Sequence, residues 1–214
     1  MKILIITGGK FNEKFAVSFL EKNKYDYIIC VDNGITYAEK LGIVPDMLVG
    51  DFDTRGDKGL LEYEKKGVTV RRYIAEKDDT DTEIAIREAV IRGGATDILC
   101  GTGGRIDHLL ANIHNLKIAL DSGVEARIID ECNVIYLKKD DFIVNKSQYP
   151  HKYISFLPFC GTVKGLKLKG FKYSQDNYDL KPGTSRCISN EISDGEAYVS
   201  FESGCLIVIH SSDG

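Results

Sequence analysis

Over roughly its first 135 residues the chain alternates two kinds of segment, and this alternation restricts its fold more than any other feature. Short apolar runs are KILIITGG (2–9), YDYIICVD (25–32), DMLVGD (46–51), VTVRRY (68–73), DILCGT (97–102) and ARIID (126–130). Helix-length patterns lie between them, near 12–22, 34–41, 56–66, 80–92 and 106–121. Runs apolar on both faces, separated by amphipathic helices, predict a parallel sheet covered on each side. After about residue 136 the helical period disappears. YISFLPF (153–159), GTVKGLKLKG (161–170), EAYVSFES (196–203) and CLIVIHS (205–211) alternate instead, between Gly and polar turns. The expected fold is an α/β domain over 1–136, followed by a small antiparallel β-sandwich or barrel over 137–214. No repeat or low-complexity segment interrupts either part.

Composition excludes several functions. A chain of 214 residues, 43% hydrophobic and 28% charged, can bury a sizeable core like an ordinary globular protein. The formal net charge is −4 and basic residues are scattered, with short pairs such as Lys65-Lys66 and Arg71-Arg72. That leaves no electrostatic footprint for nucleic acid or an anionic membrane. Six cysteines include no CxxC pair, so neither a metal clip nor dithiol chemistry is supported. Cys30, Cys100 and Cys205 lie in apolar runs, where a thiol acts as a small hydrophobe. A strand pattern begins at Lys2 without a signal-peptide pattern, and no apolar run is long enough to span a bilayer. A cytoplasmic protein with reduced thiols is expected.

In an open parallel sheet, ligands gather at the carboxyl ends of the strands. Four features fall there: Thr7-Gly8-Gly9, Asp32-Asn33-Gly34, Gly50-Asp51-Phe52-Asp53 and Gly101-Thr102-Gly103-Gly104-Arg105. Glycine lets backbone N–H groups approach a phosphate, and a following helix N-terminus attracts anions. Gly8-Gly9 with Asp32 invites comparison with a dinucleotide fold, but GGKFNEK lacks the G-x-G-x-x-G spacing.

Asp51 and Asp53, two apart in GDFDT, face the same side of an extended chain. They repel unless a cation or ordered water lies between them. In the second acidic cluster, EKDDTDTE (76–83), Thr80 as N-cap and Glu83 at N3 form a capping box. Capping accounts for Thr80, Asp81 and Glu83, and less well for Asp78 and Asp79. Bare acids at a helix start repel phosphate; with Mg²⁺ between carboxylate and phosphate they attract it. Lys77 adds a point charge for a phosphate. The third constellation is GTGGRIDHLLANI (101–113). Gly103 and Gly104 permit a tight turn, after which Arg105 can fork onto phosphate oxygens. Asp107 sits in the first helical turn, where capping is the default role. His108 and Asn112 share a face beside the apolar stripe of Leu109, Ile113 and Leu116. His108 reads as a hydrogen-bonding or packing residue rather than a catalytic base. Neither a P-loop nor a GxSxG elbow is present. GTSRCISNE (183–191), by itself, is a polar loop between strands.

Taken in order and at their intervals, VDNG with LGIVPDMLVGDFDT, then KDDTDTE, GTGGRIDHLLANI and GTSRCISNE, resemble the bacterial thiamine pyrophosphokinases. Thr54 stands where that family commonly has Ser, and Asn33 where it commonly has a second Gly; neither change removes a charge. The resemblance implies transfer of the pyrophosphoryl group of ATP to the thiamine hydroxyl, giving thiamine diphosphate and AMP. It further implies Mg²⁺ and a homodimer, with thiamine held near the C-terminal domain at the subunit interface. Asp51, Asp53 and Asp81 become the metal candidates and, with Arg105, the catalytic ones. ATP binding is implied for Gly9, Asp32, Asn33, Lys77, Asp78, Thr80, Gly103, Gly104, Arg105, Asp107 and His108. Thiamine binding is implied for Ser185, Ser189 and Asn190. Competing expectations are a pyrophosphokinase acting on a pterin alcohol, a catalytically silent thiamine or nucleotide sensor, and a Mg²⁺-dependent phosphohydrolase. An acceptor screen and the release of AMP with and without thiamine distinguish them.

Overall fold

Over the first 131 residues, strand and helix form where the alternation of apolar runs and helical patterns predicts them. The structure, a computed structural model, describes residues 1–52, 56–72, 79–193 and 195–213, with 56–58 as backbone alone. The chain divides into two units, Met1–Glu131 and Cys132–Gly214.

The first unit contains β1 (Lys2–Ile6), α1 (Glu13–Lys22), β2 (Tyr27–Val31), α2 (Gly34–Lys40), β3 (Met47–Gly50) and α3 (Gly56–Lys65). It continues through β4 (Thr69–Arg72), α4 (Asp81–Arg92), β5 (Ala95–Leu99), α5 (Ile106–Asp121) and β6 (Ala126–Ile129). All these strands pair in parallel, in the order β4-β3-β2-β1-β5-β6. The chain starts in the middle of the sheet, builds outward on one side, then returns to build on the other. The reversal falls between β1 and β5, and such a switch point leaves a crevice at the carboxyl ends of the strands. Ile3, Leu4 and Ile5 of β1 have no exposed surface, as expected of a strand covered on both faces.

Local chemistry sets the helix boundaries. The Asn12 side chain accepts from Phe15 N–H at the start of α1, and Thr80 Oγ1 accepts from Glu83 N–H at the start of α4. Gly93 closes α4 in the left-handed conformation, φ +68°. Lys2, Tyr25, Asp97 and Arg127 form a charged cluster, with Arg127 Nε on Asp97 Oδ1 and the Tyr25 hydroxyl on Oδ2. Burial opposes ionisation of Asp97, but the Arg127 guanidinium outweighs it and holds the carboxyl below its usual range.

The second unit contains β7 (Asn133–Lys138), β8 (Phe142–Asn145), β9 (Tyr153–Pro158), β10 (Val163–Lys169), β11 (Gln175–Leu180), β12 (Glu196–Ser200) and β13 (Leu206–Ser211). Its pairings are antiparallel, in the orders β7-β13-β9 and β11-β10-β12-β8. Alternate residues from both sets, including Phe156, Leu166, Leu168, Val199 and Val208, share one buried core. This is a β-sandwich, held by facing apolar rows. β7 runs through the expected boundary at 136/137, and its pairing with β13 ties it to the sandwich. Among the described residues, no helix is long and apolar enough to cross a membrane.

Candidate active site

The carboxyl edge of the parallel sheet is stitched together across its switch point. After β1, Thr7 N–H donates to Leu99 O at 3.0 Å, Gly9 N–H to Cys100 O at 2.9 Å, and Lys10 N–H to Thr102 O at 2.9 Å. The loops after β1 and β5 therefore run as a short zipper. A Cβ at Gly9 would strike the carbonyl oxygens of Cys100 and Thr102, so only glycine permits this approach. Gly103 and Gly104 then turn the chain into α5 with φ of +81° and +67°, the left-handed conformations expected of that turn. Asn112, one turn along from His108, is buried and donates to Gly101 O at 2.9 Å, fixing the loop to its helix.

Three non-glycine residues at this edge also have positive φ: Asp32 (+47°) after β2, Phe52 (+55°) after β3 and Cys100 (+59°) after β5. Such conformations cost on the order of 1–3 kcal/mol each and persist where the surroundings over-determine them. Burial pushes the Cys100 thiol up to about 12, with Glu131 adding to the effect, so the thiol stays neutral.

The acidic residues come from neighbouring elements. Asp32 N–H donates to Val49 O at 3.0 Å, and β2 and β3 are in register at Val31 and Val49. Asp32 and Asp51 thus follow adjacent strand ends. A Cβ at Gly50 would strike Asp32 Oδ1, so that carboxylate occupies the space glycine leaves. Asp81 opens α4, which packs on β1, β2 and β3. A helix joining parallel strands runs antiparallel to them, so Asp81 lies at the same carboxyl edge. Thr80 is exposed and spends its hydroxyl on capping, while Glu83 pairs with Arg87 at 2.6 Å instead of reaching back to the cap. Asp53, Thr54, Lys77 and Asp78 lie outside the described residues.

Arg105 and Asp107 form an exposed fork at the start of α5, Nε to Oδ1 at 3.1 Å and Nη2 to Oδ2 at 2.6 Å. The hydrogen bond from Arg105 brings the Asp107 carboxyl down to about 2. Asp107 Oδ1 also accepts from His108 N–H at 2.9 Å, so the acid caps the helix as well as holding the arginine. His108 itself is exposed rather than packed. Asn33 is exposed and donates to the Tyr37 hydroxyl at 3.0 Å; Tyr37 in turn donates to Gly9 O at 3.0 Å. The Tyr37 ring stacks on Phe11 with centroids 4.5 Å apart. Sequence pattern carries no sign of how Tyr37 reaches Gly9 and Phe11, because both are distant from it in the chain.

In the sandwich, the 183–191 loop is pinned to β9. Phe156 N–H donates to Cys187 O at 2.9 Å, Ile154 and Asn190 exchange backbone bonds, and Ser189 N–H donates to the buried Ser155 hydroxyl at 2.9 Å. Asn190 is buried, and its amide serves the fold. Its Oδ1 accepts from Tyr173 and Glu191 N–H, and its Nδ2 donates to Tyr173 O. Ser185 and Ser189 stand exposed on the pinned loop, Ser189 with φ +54°. Beside it lies a recess of about 120 Å³ lined by residues including Tyr149, Tyr153, Ile192 and His210, aromatic surfaces that sequence alone does not single out.

Carboxylate oxygens are hard donors, and Mg²⁺ typically takes one or two of them together with substrate phosphates. Asp51 and Asp81 at one edge, with Asp32 filling the space at Gly50, are donors of that kind. Among the described residues, no group of three His, Cys, Asp or Glu side chains closes on a metal position.

Comparison with known proteins matches both units. Residues 20–128 match the family model described as "Thiamin pyrophosphokinase, catalytic domain", and residues 141–206 match "Thiamin pyrophosphokinase, vitamin B1 binding domain". A thiamine pyrophosphokinase from Bacillus subtilis is 35% identical over 187 residues, covering 86% of this chain and 87% of the relative. The crystal structure of a thiamine pyrophosphokinase from B. subtilis superimposes with a TM-score of 0.87 at 31% identity, covering 100% of both chains. That of the Geobacillus thermodenitrificans enzyme superimposes with a TM-score of 0.84 at 31% identity, covering 100% of this chain and 99% of the other.

Proposed function

The chain belongs to the thiamine pyrophosphokinase family, and from that premise we propose how its residues divide the work of the reaction. The activity is transfer of the pyrophosphoryl group of ATP to thiamine, giving thiamine diphosphate and AMP. The thiamine hydroxyl oxygen bonds to the β-phosphorus, and the bond from that phosphorus to the α–β bridging oxygen breaks. The hydroxyl proton passes to a carboxylate of the acidic group, and AMP leaves.

The observation that supports this division most is the gathering of glycine turns and carboxylates at the switch-point edge of one sheet. There Gly9, Gly103 and Gly104 bring backbone close to the polyphosphate, with Asp32, Asn33, Thr80 and His108 around them. Arg105 commits two of its five N–H donors to Asp107, leaving a fork for phosphate oxygens. Asp51 and Asp81, with Asp53, would hold Mg²⁺, while Lys77 and Asp78 serve the polyphosphate. When bound, the ion neutralises charge on the transferred and leaving phosphates. Positioning and electrostatics dominate phosphoryl transfer, and acids, arginine and close backbone N–H groups suit that task. In the sandwich, Ser185 and Ser189 offer hydroxyls to the thiamine pyrimidine, and Asn190 fixes the loop that carries them. The free state of all six cysteines accords with a cytoplasmic setting, and the working form is a homodimer.

Purified protein with ATP, Mg²⁺ and thiamine should yield AMP and thiamine diphosphate in equal amounts. AMP released equally well without thiamine, or not at all, overturns the proposal. Asp51→Asn and Asp53→Asn should each lower turnover by about 10²–10³ with the circular dichroism spectrum unchanged. Near-normal turnover in both removes the metal assignment.

A further inference from the structure

The mechanism leaves the buried carboxylate of Glu88 unused. Glu88 lies in the middle of α4 with 5% of its surface exposed, and a carboxylate is rarely buried without partners. Its Oε1 meets Arg71 Nη1 of β4 at 2.9 Å, and its Oε2 meets Arg92 Nη1 of α4 at 3.0 Å. Arg92 extends the chain of contacts, donating to the Tyr27 hydroxyl at 2.9 Å while its guanidinium lies 4.3 Å from the centre of that ring. One helix is therefore tied by charge to β4 and, through Arg92, to β2.

The placement of these ties matters for the site. Asp81 and Glu88 are seven residues apart, two helical turns, and so share one face of α4. Fixing Glu88 fixes both the rotation of that face and its position along the helix axis. On the strand side, Arg71 is in register with Val49 of β3, two residues before Asp51. Tyr27 begins β2, the strand that Asp32 follows. The contacts of Glu88 thus tie α4, which carries Asp81, to β4 beside β3, the strand before Asp51, and through Arg92 to β2, the strand before Asp32. Apolar packing alone would let a helix slide or turn by small amounts, whereas a two-oxygen carboxylate held from both sides has one seating.

We propose that Arg71 and Glu88 form a clamp that sets the position of Asp81 relative to Asp51, making Arg71 a positioning residue for the divalent cation. This rests on the assignment of Asp51 and Asp81 to that cation. Arg71 is the place to test it, because its removal leaves Glu88 paired with Arg92.

The test titrates Mn²⁺, as a Mg²⁺ substitute, into the full-length protein with a non-hydrolysable ATP analogue, followed by electron paramagnetic resonance. Activity against Mg²⁺ concentration is measured alongside. Arg71→Met should raise the Mn²⁺ dissociation constant and the Mg²⁺ activation midpoint at least fivefold. Saturating Mg²⁺ should recover most of kcat, and Arg71→Lys should lie between the variant and the wild type. In an Asp81→Asn background, Arg71→Met should add less than a twofold further change, because the clamp acts through Asp81. A purely structural role lowers the melting temperature and the active fraction but leaves both midpoints within twofold, and that result overturns the clamp. Should Arg71→Met not fold, Arg71→Lys alone decides by the same midpoints. If Asp81→Asn itself moves neither midpoint, the metal assignment has failed, a result distinct from failure of the clamp alone.

Discussion

His210 stands on β13 with 3% of its surface exposed, its Nε2 3.1 Å from the Tyr136 hydroxyl and its ring 4.0 Å from that of Tyr149. Burial pushes its pKa down to about 3, helped by His151 nearby. The folded protein holds this ring neutral while the unfolded chain protonates it below about 6.5. Between those values the unfolded state binds the extra proton, so stability falls on acidification by about 1.4 kcal/mol per pH unit from this group. His210→Gln retains an amide for Tyr136 and removes the titration. From pH 7 to pH 5 the wild type should lose about 2 kcal/mol more unfolding free energy than the variant, measured by urea denaturation. Equal losses would contradict a buried neutral imidazole. The residue scale is also where sequence legibility is uneven. Thr80 was readable as a cap because its partner Glu83 is three residues away. The structural work of Asn190 was not, because Tyr173, which its amide braces, arrives from another part of the sandwich.

At the scale of elements, every strand and helix of the first unit matches an apolar run or helical pattern within a few residues. Continuous apolar runs alternate there with amphipathic helical patterns, so little else was needed, even for β4, whose TVRR is largely exposed. The sandwich was less legible. β11, QDNYDL, buries only Leu180 fully and stands at the end of its sheet, where polar residues are favoured. β8 is four residues long, too short for alternation to register, and β7 sits at the change from one periodicity to the other. The zipper between the β1 and β5 loops was legible only as glycines in suggestive places; its geometry separates two neighbours that sequence treats alike. At Gly8 the nearest atom to a new Cβ is Asn33 Cβ at 3.4 Å, an ordinary contact, whereas at Gly9 backbone carbonyls block the space. Gly8→Ala should therefore melt within a degree or two of wild type. Gly9→Ala should lose about 1–3 kcal/mol, the usual range for overpacking, or several degrees in melting temperature, and bind ATP more weakly. A Gly9→Ala protein that melts and binds like the wild type would show that the two loops are not held together as described.

For the whole molecule, two family models fall on the two units, one catalytic and one for vitamin B1. The periodicity changes within a few residues of that division, but no periodicity records how chains associate. A homodimer predicts a solution mass near twice the 23.8 kDa of one chain, measurable by light scattering. If thiamine is held where subunits meet, the acids on one protomer serve the serines of its partner. Two inactive variants should then repair each other. Asp51→Asn removes a metal acid, and Ser189→Lys sets a positive charge against the cationic thiamine ring. Random mixing by refolding or co-expression makes half the dimers mixed, and a symmetric pair then retains one intact site of two, for about a quarter of wild-type activity. Each variant alone should stay near background. A single-chain mass would remove the dimer, and a dimer whose mixtures stay inactive would assign each site to one protomer.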